Sequence, residues 1–537
     1  MFIKLRKYLS FKSKQKQLTV PEIPKHLGDT YTIQKNIEIN EMNLKKFLGK
    51  SEDIVFREFE ILTIKQTKVF ICFINGLVNT QLVNEYIVKP LIDNLPNDKY
   101  DNNGAHHDLI KTIKDRTLSV ADLKEAQSMD KVIDAVLSGE TALFIDGNHS
   151  AILISTQSFE SRSVEEPETE TVIRGPREGF VETLQVNTAL IRRKIKNPNL
   201  IFEKLILGRQ TRTTICIGYI EGIANQKIIQ EVKSRLNRID TDSILESGYI
   251  EQFIEDHPFS LFSTIGNSEK PDKVAAKLLE GRVAILCDGT PFVLTVPYLF
   301  IENMQASEDY YSRPLFQSFS RLLRTVAFFI AILTPALYVA LTTFHQEMIP
   351  TVLLTTMAAS REGIPFPAFV EAVLMGGTFE ILTEAGVRMP RPIGQAVTIV
   401  GALVVGEAAV QAGIVSSPMV IVMAVTGITG FVIPSLREFT VIFRFILIAL
   451  AAMFGVFGIL IGFFFLLGHL CSLRSFGSPY LDPIAPVMWN GLKDSFIRAP
   501  LWMLKSRPRS ITWRDSKRQG LFVKPGPENP TQSGEEN

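Results

Sequence analysis

The sequence predicts a soluble α/β or α+β N-terminal half made of two similar subdomains, followed by an α-helical multi-span membrane domain. Three observations carry this. The long apolar runs are confined to the stretch from Leu322 to Leu470, whereas the first 310 residues mix charged and apolar side chains as a globular domain does. The first 300 residues contain an internal repeat. A mean hydropathy of +0.15 over 537 residues is too apolar for a wholly soluble chain of this length.

Residues 1–39 form a basic segment opening MFIKLRKYLSFKSKQKQ. It lacks the continuous apolar stretch of a secretory signal, so the half that follows is expected to stay cytoplasmic. Residues 40–158 are read as subdomain 1 and 159–310 as a linker with subdomain 2. VFICFINGLVN (69–79) matches ICIGYIEGIAN (215–225), pairing Gly76 with Gly222 and Asn79 with Asn225. VLSGETALFIDG (136–147) matches LLEGRVAILCDG (278–289), pairing Gly139 with Gly281, Asp146 with Asp288 and Gly147 with Gly289. Nearly equal offsets in the same order imply one unit used twice. Each copy reads as a strand, helices with 3.6-residue periodicity (79–91 and 226–236), and a strand pair turning at Asp-Gly. Asp146 and Asp288 are therefore read as turn formers rather than ligands.

Chemistry is sparse in this half. Gly49-Lys50-Ser51 resembles the end of a phosphate loop, but Leu44 stands where its first glycine belongs. His106-His107-Asp108 follows a polar loop and needs no metal to explain it. Cys72, Cys216, Cys287 and Cys471 form no CxxC pair, which excludes a disulfide framework or a zinc site. With no nucleophile and base at a demanding spacing, no enzyme, cofactor, metal or nucleic-acid partner is expected.

Four segments have the length and composition of membrane spans: 322–344, 393–412, 415–433 and 439–468. The last, at about 45 Å if helical, exceeds a hydrocarbon core of about 30 Å, so it must tilt, break near its glycines or project. A hairpin there would change the number of crossings. Gly455, Gly458 and Gly462, like Gly401 and Gly406, are expected to permit close helix contact and self-association. A further helix at 367–387 is ambiguous between interfacial and buried. Its Glu380, Glu384 and Arg388 form one polar stripe, with Glu371 on the opposite side. Four crossings put Arg388, Arg391 and Arg437 outside and the basic tail, 471–524, in the cytoplasm. Residues 525–537 read as a disordered end.

Polar groups inside the apolar runs are the candidate pore or gating residues: Glu371, Glu380, Glu384, Arg388, Glu407, Gln411 and Arg444. Glu407, in GALVVGEAAVQ (401–411), has to face protein or water. Lining a polar path and being satisfied by a neighbour such as Arg444 are both consistent with that position.

Three longer stretches, EEPETETVIRGPREGFVETLQVNTALIRRKIKNPNL (165–200), PFPAFVEAVLMGGTFEILTEAGVRMPRPIGQAVTIVGALVVGEAAVQAGIVS (365–416) and LRSFGSPYLDPIAPVMWNGLKDSFIRAPLWMLKSRP (473–508), resemble the GerA family, the A subunits of endospore nutrient germinant receptors. The likeness runs from about residue 40 to about 508. It implies a multi-pass component of the inner spore membrane that oligomerises to form or gate a cation release channel. The partners it implies are a transporter-like B subunit, a lipoprotein C subunit and membrane lipid. A SpoVAF-like amplifying subunit and a non-conducting receptor scaffold are the alternatives within that resemblance. A secondary transporter would need inverted repeats of its spans, and the repeat is in the soluble half.

Overall fold

The structure, a computed structural model, describes residues 32–61, 67–93, 113, 122–158, 167, 170–389, 404–508, 510–512 and 517–519. Two compact units divide the chain: Met1–Glu255 with Ile265–Pro297 and Lys505–Leu521, and Asp256–Thr264 with Tyr298–Leu504 and Phe522–Asn537.

The first unit contains the two copies. Copy 1 runs α1 (Ile37–Leu48), β1 (Ile54–Ile61), β2 (Thr67–Ile74), α2 (Thr80–Leu82, a π-helical Val83–Val88 and Lys89–Asp93), β3 (Leu123–Ala126), α3 (Met129–Leu137), β4 (Glu140–Ile145) and β5 (Ala151–Ser155). Copy 2 runs α4 (Leu184–Lys194), β6 (Leu200–Leu207), β7 (Thr213–Ile220), α5 (Gln226–Asn237), α6 (Ser247–Ile254), β8 (Gly266–Ser268), α7 (Pro271–Leu279), β9 (Val283–Cys287) and β10 (Val293–Val296). The sheets have the same order, β1-β2-β4-β5-β3 and β6-β7-β9-β10-β8, and the strand pairs in both are antiparallel. Each copy is thus of the α+β kind.

Both faces of the first sheet are covered, which is why its central strands read as unbroken apolar runs. Phe70, Cys72 and Phe144 point to a core with Leu44, Val132 and Val136, while Val69, Ile71 and Leu143 meet Val83, Ile87 and Leu91 on the other side. The paired residues do the same job twice. Asn79 and Asn225 cap α2 and α5, accepting from Gln81 N and Lys227 N. Gly76 and Gly222 lie at φ 89° and 86°, and Gly139 and Gly281 at 94° and 95°, which only glycine adopts without strain. Asp146 and Asp288 sit in the hairpin turns as expected, and each also accepts from the first amide of a helix, Ile37 N at 3.1 Å and Leu184 N at 3.0 Å.

Copy 1 begins before the expected boundary at residue 40. Asn40 exchanges hydrogen bonds with Gln34 N and O, as Asn187 does with Val181 N and O, so 33–39 belong to the fold and not to a basic arm. The Gly49-Lys50-Ser51 stretch joins the copies. Arg192, fully buried, donates to Asp53 Oδ2 at 2.7 Å and Oδ1 at 2.9 Å and to Ser51 Oγ at 2.8 Å. Ser51 Oγ also accepts from Phe202 N at 2.9 Å. Replacing Arg192 by Met strands the Asp53 carboxylate, and the expected loss is about 3–5 kcal/mol, typical of a broken buried pair. Thermal unfolding of the solubilised protein measures it. Arg192→Lys is expected to restore little, because one ammonium cannot reproduce the two-pronged contact.

The second unit is helical: α8 (Pro314–Thr343), α9 (Thr351–Arg361), α10 (Ala368–Arg388), α11 (404–411), α12 (Ser417–Gly430) and α13 (Arg437–Ser472). Among the described residues two helical stretches, Pro314–Thr343 and Pro434–Ser472, are long and apolar enough to cross a membrane by length and composition. The expected span at 322–344 begins eight residues earlier, at Pro314. The one at 415–433 is a helix of 14 residues, about 21 Å, bounded by the cap at Ser416 and by the turn before Pro434. Of 393–412, only 404–411 lies among the described helical residues.

The expected single run at 439–468 is two helices. Gly455 breaks α13 at φ 63°, ψ −143°. Phe262 shows the consequence, because its ring centroid lies 4.1 Å from that of Phe439 and 6.2 Å from that of His469. A straight helix would hold those two residues about 45 Å apart. The arms, 437–454 and 456–472, therefore fold back on each other, with a Cβ at Gly462 meeting Leu447 and one at Gly458 meeting Leu450. Arg437, expected on the far side of the bilayer from the basic tail, lies instead at the same open end of the hairpin as Ser472. The closed end lies at the end of α8, where a Cβ at Gly455 would meet His345. The stretch read as a basic tail, 471–524, is partly folded. Residues 473–504 belong to the second unit, whereas Thr512 bridges Ala224 and Arg507 Nε donates to Leu279 O at 2.8 Å within the first.

Candidate functional site

The apolar helices of the second unit hold their charges in two ways. Glu371, in the first turn of α10, is fully buried. Its Oε2 accepts from Ser416 N at 2.8 Å and Ser416 Oγ at 2.7 Å, while Oε1 lies 3.4 Å from Arg361 Nη2. Ser416 is the N-cap of α12 but makes no capping bond with its own hydroxyl. The Glu371 carboxylate instead accepts from the amide and hydroxyl of the cap residue itself and sets a negative charge against the positive end of α12. Tyr338 OH of α8, 3.4 Å from Ser416 Oγ, brings a fourth helix to the same node.

Nine residues further along α10, Glu380 Oε1 accepts from Arg444 Nη2 at 2.5 Å, and its Oε2 lies 3.8 Å from Arg437 Nη2. Arg444 is 2% exposed, so this pair is held within the protein. Arg444, a neighbour that the sequence offers Glu407, pairs with Glu380 instead. Glu407 is exposed and accepts from Gln411 Nε2 at 3.2 Å, one turn on. Glu384 and Arg388 are exposed too and pair with each other at 2.6 Å.

These contacts fix the helix directions. Glu371 and Ser416 lie near Tyr338, toward the end of α8 that carries the hairpin tip. Glu380 lies nearer the open end, two turns along the first arm from Arg437. A Cβ at Gly376 would meet Met423, and one at Gly427 would meet Phe379, so α12 runs alongside α10 in the same direction. A Cβ at Gly406 would meet Val420, placing α11 on α12. Gly406, Gly455, Gly458 and Gly462 thus meet neighbours of their own chain, and Gly401 lies outside the described residues.

A third cluster, missed in the sequence, lies toward the other end of α8. Asp309, fully buried, accepts from Arg321 Nε at 2.7 Å and from Arg324 Nη1 and Nη2 at 3.0 and 2.6 Å. Arg321 Nη1 also reaches Asp494 Oδ1 at 2.9 Å. Burial pushes the Asp309 carboxyl up, but the two guanidiniums outweigh it and leave it below its ordinary range. Nothing in the sequence links Arg321 to carboxylates 12 and 173 residues away. Among the described residues no group of three or more His, Cys, Asp or Glu side chains converges to hold a metal. His106-His107-Asp108 lies outside them.

Comparison with known proteins covers nearly all of this architecture. Residues 42–510 match the model of the Bacillus/Clostridium GerA spore germination protein family. The chain is 47% identical over 497 residues to spore germination protein KA of Bacillus subtilis (strain 168), covering 92% of this chain and 90% of that one. It is 39% identical over 493 residues to spore germination protein GerLA of Bacillus cereus, covering 91% and 98%. Among solved structures, it is similar to the N-terminal domain of the A subunit of the Bacillus megaterium spore germinant receptor GerK3, with 36% identity, 50% of this chain and 97% of that one covered, and a TM-score of 0.39. The chain belongs to the GerA family of spore germination proteins.

Proposed function

We propose that this chain is the A subunit of a nutrient germinant receptor in the inner membrane of the spore. Several copies associate there to form or gate a cation release path that starts germination. Its partners are a transporter-like B subunit and a lipoprotein C subunit. The family match over 42–510 supports the receptor role. The helix directions support a multi-span domain: α8 leads away from the cluster at Asp309, α10 and α12 lead back, and the arms of α13 go out and return. With 393–412 as the remaining crossing, the count is six, and both ends of the membrane domain lie on one side. At about 21 Å, α12 needs its flanking residues to complete its pass.

One observation carries the ion path. Glu371, Glu380 and Arg444 are paired inside the chain and serve to position helices, whereas Glu407 and Gln411 are exposed on an apolar element. Hydrocarbon excludes a carboxylate, so that face meets water or another subunit. Glu407→Gln is expected to change nutrient-triggered potassium release from spores while leaving the abundance of the protein unaltered. Unchanged release at normal abundance would remove Glu407 from the path. In spores lacking the gene, loss of the response to one nutrient class assigns the chain to that nutrient's receptor. Uniform slowing for amino acids, sugars and nucleosides alike would assign it the amplifying role instead.

A further inference from the structure

The first turns of α8 are inside out. Gln317 and Arg321 are buried, while Leu315 (88% exposed), Phe316, Phe319, Leu322, Leu323 and Val326 form an outward stripe about 120° wide at 100° per residue. Against this helix lies a second segment with the same inversion. Asp494, Ser495 and Arg498 face inward, Arg498 N donating to Ser318 Oγ at 3.1 Å and Gln305 Nε2 donating to Asp494 O at 2.7 Å. Its apolar groups Val487, Trp489 (79% exposed), Ile497 and Leu501 face out. An exposed apolar surface of this extent is a contact surface for something.

We propose that the first turns of α8 and residues 487–503 are seated in the headgroup zone of the leaflet at the open end of the hairpin, against anionic phospholipid. This rests on the membrane reading above. Three features favour lipid over a protein partner. The outward stripe continues on the same side of α8 through Phe329 and Leu337, so the surface that meets acyl chains runs into these turns without a break. At 30 residues α8 is about 45 Å long, which matches a bilayer including its headgroups, about 40–45 Å, rather than its core of about 30 Å. Exposed Trp489, with the exposed cations Lys493 four residues on and Arg313 at the start of α8, is the mixture that favours an anionic interface. The seating also accounts for the Asp309 cluster: Arg321 and Arg324 stand at the depth where acyl chains begin and must be neutralised on the protein side.

The chain has three tryptophans, Trp489, Trp502 and Trp513, so its own fluorescence can test this. The full-length protein carrying Trp502→Phe and Trp513→Phe is reconstituted into phosphatidylglycerol/phosphatidylcholine vesicles with bromines at defined depths on the acyl chains. A second variant lacks all three tryptophans and carries Phe457→Trp, an exposed position on the second arm of α13. Trp489 is expected to be quenched more by bromines near the glycerol than by those near the chain ends, and more weakly when phosphatidylglycerol is left out. Quenching of the Phe457→Trp probe without quenching of Trp489 overturns the proposal and leaves the membrane reading standing. In that case, accessibility of Trp489 to aqueous acrylamide marks a water-facing surface, and its protection marks a protein partner or a second copy. Quenching of neither probe means that the membrane reading itself fails.

Discussion

Asp309→Ala is expected to abolish accumulation of the folded protein, or nearly so. The substitution leaves Arg321 wholly buried and Arg324 largely so, each without its main partner. Breaking a buried pair costs about 3–5 kcal/mol, and here two guanidiniums lose a carboxylate at once, Arg321 keeping Asp494 and Arg324 keeping the carbonyl of Met304. Ala306 N also loses its acceptor, Asp309 Oδ2 at 3.2 Å. A matched control is Glu384→Gln, which removes an exposed pair of the kind worth about 0–1 kcal/mol and should leave abundance unchanged. Abundance in membranes and thermal unfolding in detergent read the two substitutions against each other. The acid response supplies a second readout. Because the folded carboxyl lies below its ordinary range, its stabilising contribution is fully present above the unfolded value of about 3.9 and is lost as the pH falls through the folded one. Asp309→Asn, which keeps the shape and removes the titration, is expected to be less stable near neutrality and to lose less on acidification. Equal stability of Asp309→Ala and the parent would mean that this cluster does not hold the second unit together.

The repeat was legible because it is written in residues with special backbone demands. Gly76 and Gly222, or Gly139 and Gly281, need a positive φ, and Asn79 and Asn225 must cap a helix, so few other residue types are tolerated there. The first helix of copy 1 was not legible: IEINEMNLKKFL and LQVNTALIRRK share little beyond the asparagine that latches each to the chain before it. In the membrane half, apolar periodicity marked the helices at 322–344 and 367–387 but not their partners. Glu380 and Arg444 lie 64 residues apart, and only folding shows that they meet. A break near the glycines of the overlong run 439–468 was one of the options its length left open, but the position of the reversal in α13 was hidden for a different reason. A turn in water advertises itself with Asn, Asp or Pro because its backbone must be satisfied by polar groups, whereas this one is a single glycine among phenylalanines, covered by Phe344 and His345. Of several glycines in that run, sequence gives no ground for choosing Gly455.

Gly455→Leu is expected to turn the hairpin into one long helix and carry everything after it across the membrane. At φ 63°, ψ −143° a residue with a Cβ is strained by about 1–3 kcal/mol, and that Cβ would also stand 2.9 Å from His345 Cε1 and 3.1 Å from Phe344 Cβ. Both penalties vanish if the run stays helical, and leucine, unlike glycine, favours the helix. The cost of that choice is length: 36 residues make about 54 Å of helix against a core of about 30 Å. The native cysteines provide the measurement. Cys72, Cys216 and Cys287 are buried, with burial pushing the Cys287 thiol up to about 12 and raising the other two as well, so they react poorly. Cys471 is exposed at the end of the second arm, and Glu438 is exposed at the start of the first. In sealed vesicles a membrane-impermeant maleimide should reach Cys471 and a cysteine introduced by Glu438→Cys from the same side. After Gly455→Leu they should react from opposite sides, or the protein should fail to accumulate. Same-side labelling at the parent level of protein would show that the reversal does not depend on this glycine, and the contacts of Phe262 with both arms would then have to hold the hairpin closed by themselves.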